Sequence, residues 1–166
     1  PATEETVRYL ESWNWQRHTL PLANDGRLQS DCLANVPWED VKLATLLLAH
    51  NETGVIQDVA PLSERCRQHG IPLHVDAVQA VGKIDVDFHA LGCSTMSVGA
   101  HKFHGPRGIG ALLVREGVQL PPVQFGGHQE SGRRPGTECV ALAAGMAVAL
   151  QRWHDQREQR TRTLRE

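Results

Sequence analysis

The chain has 166 residues, 40% of them hydrophobic and 22% charged, with a formal net charge of −2. That length makes one ordinary domain with a sizeable core, and the composition lies close to the average for soluble globular proteins. The slight negative balance argues against a general nucleic-acid or membrane-surface role, and no apolar run approaches the ~20 residues of a membrane span.

In chain order, Thr3–Trp15 sets Val7 and Leu10, and less regularly Trp13, at helical spacing. Asn24-Asp25-Gly26 is a turn signal. Pro37–Val41 reads as a short helix ahead of a strand at Thr45–Ala49. Val59–His69 predicts a helix, with Pro61 in its first turn and Gly70 stopping it. Leu73–Val75 is a strand, Val86–Leu91 a short helix closed by Gly92, and Thr95–Val98 a strand leading to Lys102. Another strand, Gly110–Arg115, follows the lysine loop directly. Gly117–Pro135 is a long loop, and Val140–His154 an amphipathic helix, alanine-rich at its start. The arginines of Gln151–Glu166 are interleaved with Asp155, Glu158 and Glu166, which suits a solvated helix face better than a nucleic-acid arm. Strands alternating with helices predict an α/β fold, a mostly parallel sheet with helices on both faces.

The segment Ser97–Gly110 holds a lone lysine, Lys102, between an apolar strand and a glycine-proline loop. A strongly hydrated cation is unusual there. Lysine at a strand end is suited to covalent capture of a carbonyl, as in enzymes carrying pyridoxal phosphate (PLP). That cofactor needs an anionic partner for its pyridine nitrogen. Asp76, at the end of the strand Leu73–Val75, faces the crevice where α/β sheets bind ligands. Leu46–Ala49 repeats the pattern of apolar strand, polar residues and glycine, and delivers Asn51 to the same edge.

The segments His50–Gly54, His74–Gln79, Gly99–Gly108 and Arg134–Glu138 together resemble the cysteine desulfurases, PLP enzymes of the class V aminotransferase group with fold type I. The resemblance runs from about Pro1 to Leu150. It implies the central part of a PLP-binding large domain over 1–150, and a helical run over 151–166 leading towards a small domain outside the chain. It implies Lys102 as the catalytic lysine, and Asn51, Asp76, Gln79, His101, Lys102 and Thr137 as cofactor-binding residues. Gln79 would bond the cofactor's phenolic oxygen. His101 would hold the phosphate end or orient the lysine. Thr137 would reach the phosphate of a neighbouring subunit, and its other reading is an N-cap for the following helix. Gly99 departs from the pattern, since relatives carry serine or threonine there as a phosphate donor.

The implied reaction takes L-cysteine to L-alanine and passes sulfur to a cysteine outside this chain. A sulfur-acceptor protein and a homodimer are the implied partners, the role iron-sulfur cluster assembly, and the compartment the cytoplasm, with neither nucleic acid nor membrane involved. Selenocysteine lyase or another class V enzyme is an alternative, as is a non-catalytic scaffold. Cys32, Cys66, Cys93 and Cys139 show no Cys-x-x-Cys spacing and read as free thiols. His74, Asp76 and His101 lack a fourth ligand, so no metal site is assigned.

Overall fold

The computed structural model describes residues 2–165, and side chains through 163; Pro1 and Glu166 lie outside the described residues. Helix α1, Ala2–Glu11, is shorter than the expected Thr3–Trp15. It unwinds through a turn in which Trp13 N donates to the Leu10 carbonyl at 2.8 Å, and Asn14 takes a left-handed φ of 65°. Asparagine tolerates that conformation, which a continuing helix cannot use.

A turn of 3-10 helix at Ser30–Asn35 buries Leu33, whose carbonyl accepts the buried indole N–H of Trp38 at 2.9 Å. The expected helix at Pro37–Val41 is only a turn. Pro37 follows an extended Val36, at φ −76° and ψ 132°, and the Asp40 and Val41 amides close a single turn on the Pro37 and Trp38 carbonyls at 2.9 and 3.3 Å before the chain extends into the first strand.

Strands β1 (Ala44–Leu47), β2 (Leu73–Asp76), β3 (Thr95–Gly99) and β4 (Gly110–Val114) form a four-stranded sheet in the order β1-β2-β3-β4. The first three strands are parallel and β4 is antiparallel to β3. Helix α2, Ala60–Gln68, crosses from β1 to β2 and seats Leu62 and Cys66 in the core. Pro61 lies in its first turn, and Gly70 follows it at a φ of 65°. The sheet is therefore mostly parallel, accompanied by helices, as expected.

The expected helix at Val86–Leu91 is likewise a turn. Asp87 Oδ1 accepts the His89 and Ala90 amides at 2.8 and 3.0 Å. The Phe88 carbonyl, which a helix would use, accepts from Arg115 at 3.2 Å instead. The same guanidinium lies 5.3 Å from the centre of the Phe88 ring. Helix α3 is long, Val140–Arg165, and runs unbroken through Leu150 and His154.

Alternation along β2 buries Leu73 and Val75 and leaves His74 and Asp76 half-buried on the other face. The core they join includes Leu33, Leu62, Cys66, Cys93, Met96 and Phe103. Full burial of a side chain such as Phe103 contributes about 1.5–3 kcal/mol.

Candidate active site

Asp76 closes β2 in register with Leu47 of β1 and Ser97 of β3, at the centre of the parallel strands. Its carbonyl accepts the Leu48 amide at 2.9 Å, and its Oδ1 accepts the Val78 amide at 3.0 Å. The second bond starts a compact double turn, in which Ala77 and Ala80 are buried and both Val81 and Ile84 amides bond back at 3.0 Å. Gln79 lies half-buried in this turn. Lys83 Nζ donates to Gln79 Oε1 at 2.5 Å and to the Gln79 carbonyl at 3.2 Å.

Lys102 sits in a single 3-10 turn, Ala100–Phe103, that leaves β3 at Gly99. Ala100 and Phe103 are buried and anchor the turn, whereas Lys102 is half-buried and His101 exposed. His104 turns the chain at φ 66°, and the Gly105 amide closes back on the Ala100 carbonyl at 2.9 Å.

Two glycines bring neighbours against this turn. At Gly82, with φ 77°, an added Cβ would stand 2.1 Å from Phe103 Cβ. The aspartate turn and the lysine turn thus touch with no space for a side chain between them. At Gly145 an added Cβ would meet Pro106 Cγ at 3.1 Å, so α3 lies directly on the lysine loop.

Asn51 is exposed, in the turn after β1. The His50 imidazole organises that turn: its Nδ1 accepts the Glu52 and Thr53 amides at 3.4 and 3.3 Å. Accepting there assigns the ring proton to Nε2. Thr137 is exposed in the loop before α3. Because α3 opens at Val140, Cys139 stands at its N-cap, and the N-cap reading of Thr137 is corrected. An added Cβ at Gly99 would lie 3.3 Å from Val78 Cγ1 and 3.4 Å from His101 Cε1. Gly99 thus leaves a slot between those two side chains.

The sheet brings Asp76 and the His101-Lys102 turn to the exits of adjacent strands, with Gln79 on the Asp76 turn and Asn51 at the exit of β1. Thr137 stands apart, on the loop leading into α3. His74, two residues before Asp76, bonds Thr95 Oγ1 through Nδ1 at 2.9 Å. Burial pushes its imidazole below the ordinary histidine value, and the Asp76 charge opposes this in part. Sequence reading passed over Lys83.

A family model described as aminotransferase class-V matches residues 11–163. The chain belongs to the class-V aminotransferase family. Among similar members, an "IscS-like cysteine desulfurase" of Mycobacterium tuberculosis is 44% identical over 165 residues, covering 94% of this chain and 42% of that protein. A solved NifS-like protein superposes with a TM-score of 0.91 at 34% identity, over 95% of this chain and 44% of the other. A structure described as SspA in complex with cysteine gives 0.82 at 33%, over 89% and 43%. The chain spans less than half the length of each of these family members.

Proposed function

We propose that this chain is the cofactor-binding core of a PLP-dependent cysteine desulfurase. The observation that carries the reading is that Lys102 lies on the exit turn of β3 while Asp76 ends the adjacent strand β2. The residues fit the cofactor by their chemistry: an amine for covalent attachment, a carboxylate for a pyridine nitrogen, and an amide to donate to a ring oxygen. Residues 1–150 are then the central part of a large domain, and residues 151–166 lead towards a small one.

When bound, PLP supplies an electron sink for the carbon skeleton of an amino acid. Asp76 would hold a proton on its ring nitrogen, a charge-assisted bond contributing on the order of 1.5–3 kcal/mol. Lys102 Nζ would anchor the cofactor and then, as a free amine, accept and return a proton at the substrate α-carbon. Gln79 and Asn51 would fix ring and substrate. His101 would lie at the phosphate end, where Gly99 offers no hydroxyl. Thr137, on an exposed loop, would serve the neighbouring subunit of a homodimer.

L-Cysteine is the proposed substrate, supported by the similar structure described as containing it. An acceptor thiol beyond this chain attacks the substrate sulfur, its S–S bond forming as the Cβ–S bond breaks, and the Cβ keeps the electron pair and takes up the thiol's proton, giving alanine and a persulfide. An iron-sulfur assembly role is supported by the similar protein named for IscS. No helix among the described residues is long and apolar enough to cross a membrane. Cys32, Cys66, Cys93 and Cys139 are free thiols, which supports a cytoplasmic setting.

The deciding experiment loads the full-length protein with PLP, reduces it with borohydride and maps the adduct by mass spectrometry. One pyridoxyl group on Lys102 is expected. Scattered labelling of Lys42, Lys83 and Lys102, or no adduct, would overturn the reading.

A further inference from the structure

We propose that Lys83 is a positioning residue, which sets the Gln79 carboxamide so that its N–H₂ face, and not its oxygen, meets the cofactor; this rests on the function proposed above. The ammonium of lysine carries donors only. The Gln79 atom it touches at 2.5 Å is therefore the amide oxygen, and its second bond, to the Gln79 carbonyl at 3.2 Å, clamps both ends of the same residue. With the oxygen engaged, Nε2 remains to donate. A donor is what a cofactor oxygen needs where it carries negative charge, and a charged partner on the amide oxygen strengthens that donation.

The clamp is built into the site. Gly82, directly before Lys83, packs on Phe103 so closely that a methyl group would overlap it, and Phe103 directly follows Lys102. The backbone of Lys83 is thereby fixed to the lysine turn. Burial, and secondarily the Lys102 cation, push the Lys83 ammonium below the ordinary lysine value. The remaining charged groups around it, Asp85 on its own turn and Arg157, Glu158 and Arg162 on α3, line the cleft it borders with Trp153. Arg157 and Asp85 are 3.6 Å apart.

The test uses full-length protein loaded with PLP and follows the pH midpoint of its visible absorption band. Lys83→Met keeps the length of the side chain and removes the donors. It should raise the midpoint by roughly one pH unit, because a weaker bond to the anionic oxygen favours the protonated form. Lys83→Arg should restore it. In a Gln79→Ala background, Lys83→Met should cause no further shift. An unchanged midpoint in Lys83→Met, or the same shift with and without Gln79, overturns the inference. A Lys102→Ala protein that keeps the covalent adduct would instead overturn the underlying functional reading.

Discussion

His74 and Asp76 share one face of β2, and the histidine makes that face sensitive to pH. Its imidazole is half-buried against Thr95, with its affinity for protons lowered by burial. The unfolded chain therefore binds the proton at higher pH than the folded one does. The contribution of His74 is present above its ordinary value of 6.5 and declines as pH falls through it. Urea midpoints at pH 7.5 and pH 5.5 should show a loss on acidification that is smaller in His74→Gln than in wild type. An equal loss in both would remove His74 as a source. At this scale the placement of Asp76 and Lys102 at the exits of adjacent strands was legible, because a charged residue directly after an apolar strand is unusual in sequence. Lys83 was not, since a lysine after glycine reads as surface until Gln79 Oε1 is placed beside it. Cys66 shows the same limit: burial pushes its thiol up to about 11, and nothing local distinguishes it from exposed Cys139.

Among the elements, the turn from Ala77 to Ile84 depends most on a single residue. Gly82→Ala would place a methyl group on Phe103 and force alanine to a φ of 77°. The left-handed backbone and the overpacking together should cost about 2–5 kcal/mol. Thermal unfolding of the variant should show this as a clearly lower melting temperature. A melting temperature equal to that of wild type would mean the turn has room to move. Strands, α2 and the start of α3 were legible because hydrophobic period and glycine or proline boundaries agree. Of the two expected short helices, Val86–Leu91 became a turn through a partner that no local pattern shows: Arg115, distant in sequence, takes the carbonyl of Phe88. At Pro37–Val41 the Trp38 indole is held by the Leu33 carbonyl five residues back. Single helical turns depend on such partners far more than long helices do.

In the molecule as a whole, α1 stands apart from the core. It buries no residue, and Tyr9 and Trp13 meet at 6.1 Å with 62% and 66% of their surfaces exposed. Its ties are ion pairs of exposed or partly exposed groups, with Arg17 bonding Glu4 at 2.8 Å and Glu11 at 2.9 Å. Such pairs contribute little. Removing Ala2–Glu11 should leave the urea midpoint of the remaining chain nearly unchanged. Urea unfolding of both forms checks this, and a larger loss would show that α1 supports the sheet. The parallel order of β1 to β3 was legible from alternating elements. The reversal at β4 was not, because a strand directly following a loop fits either direction until pairing is known.

The contact between Gly82 and Phe103 also limits how the lysine loop can be reused in protein engineering. Moved alone onto another sheet, the loop would leave Phe103 without its seat and Lys102 without a defined direction. A unit that keeps this contact is the continuous stretch from Leu73 to Val114. It carries the aspartate turn, the parallel strand β3, the lysine turn and the returning strand β4 as one piece, and a recipient scaffold must supply an open parallel edge and apolar cover in place of α2 and α3.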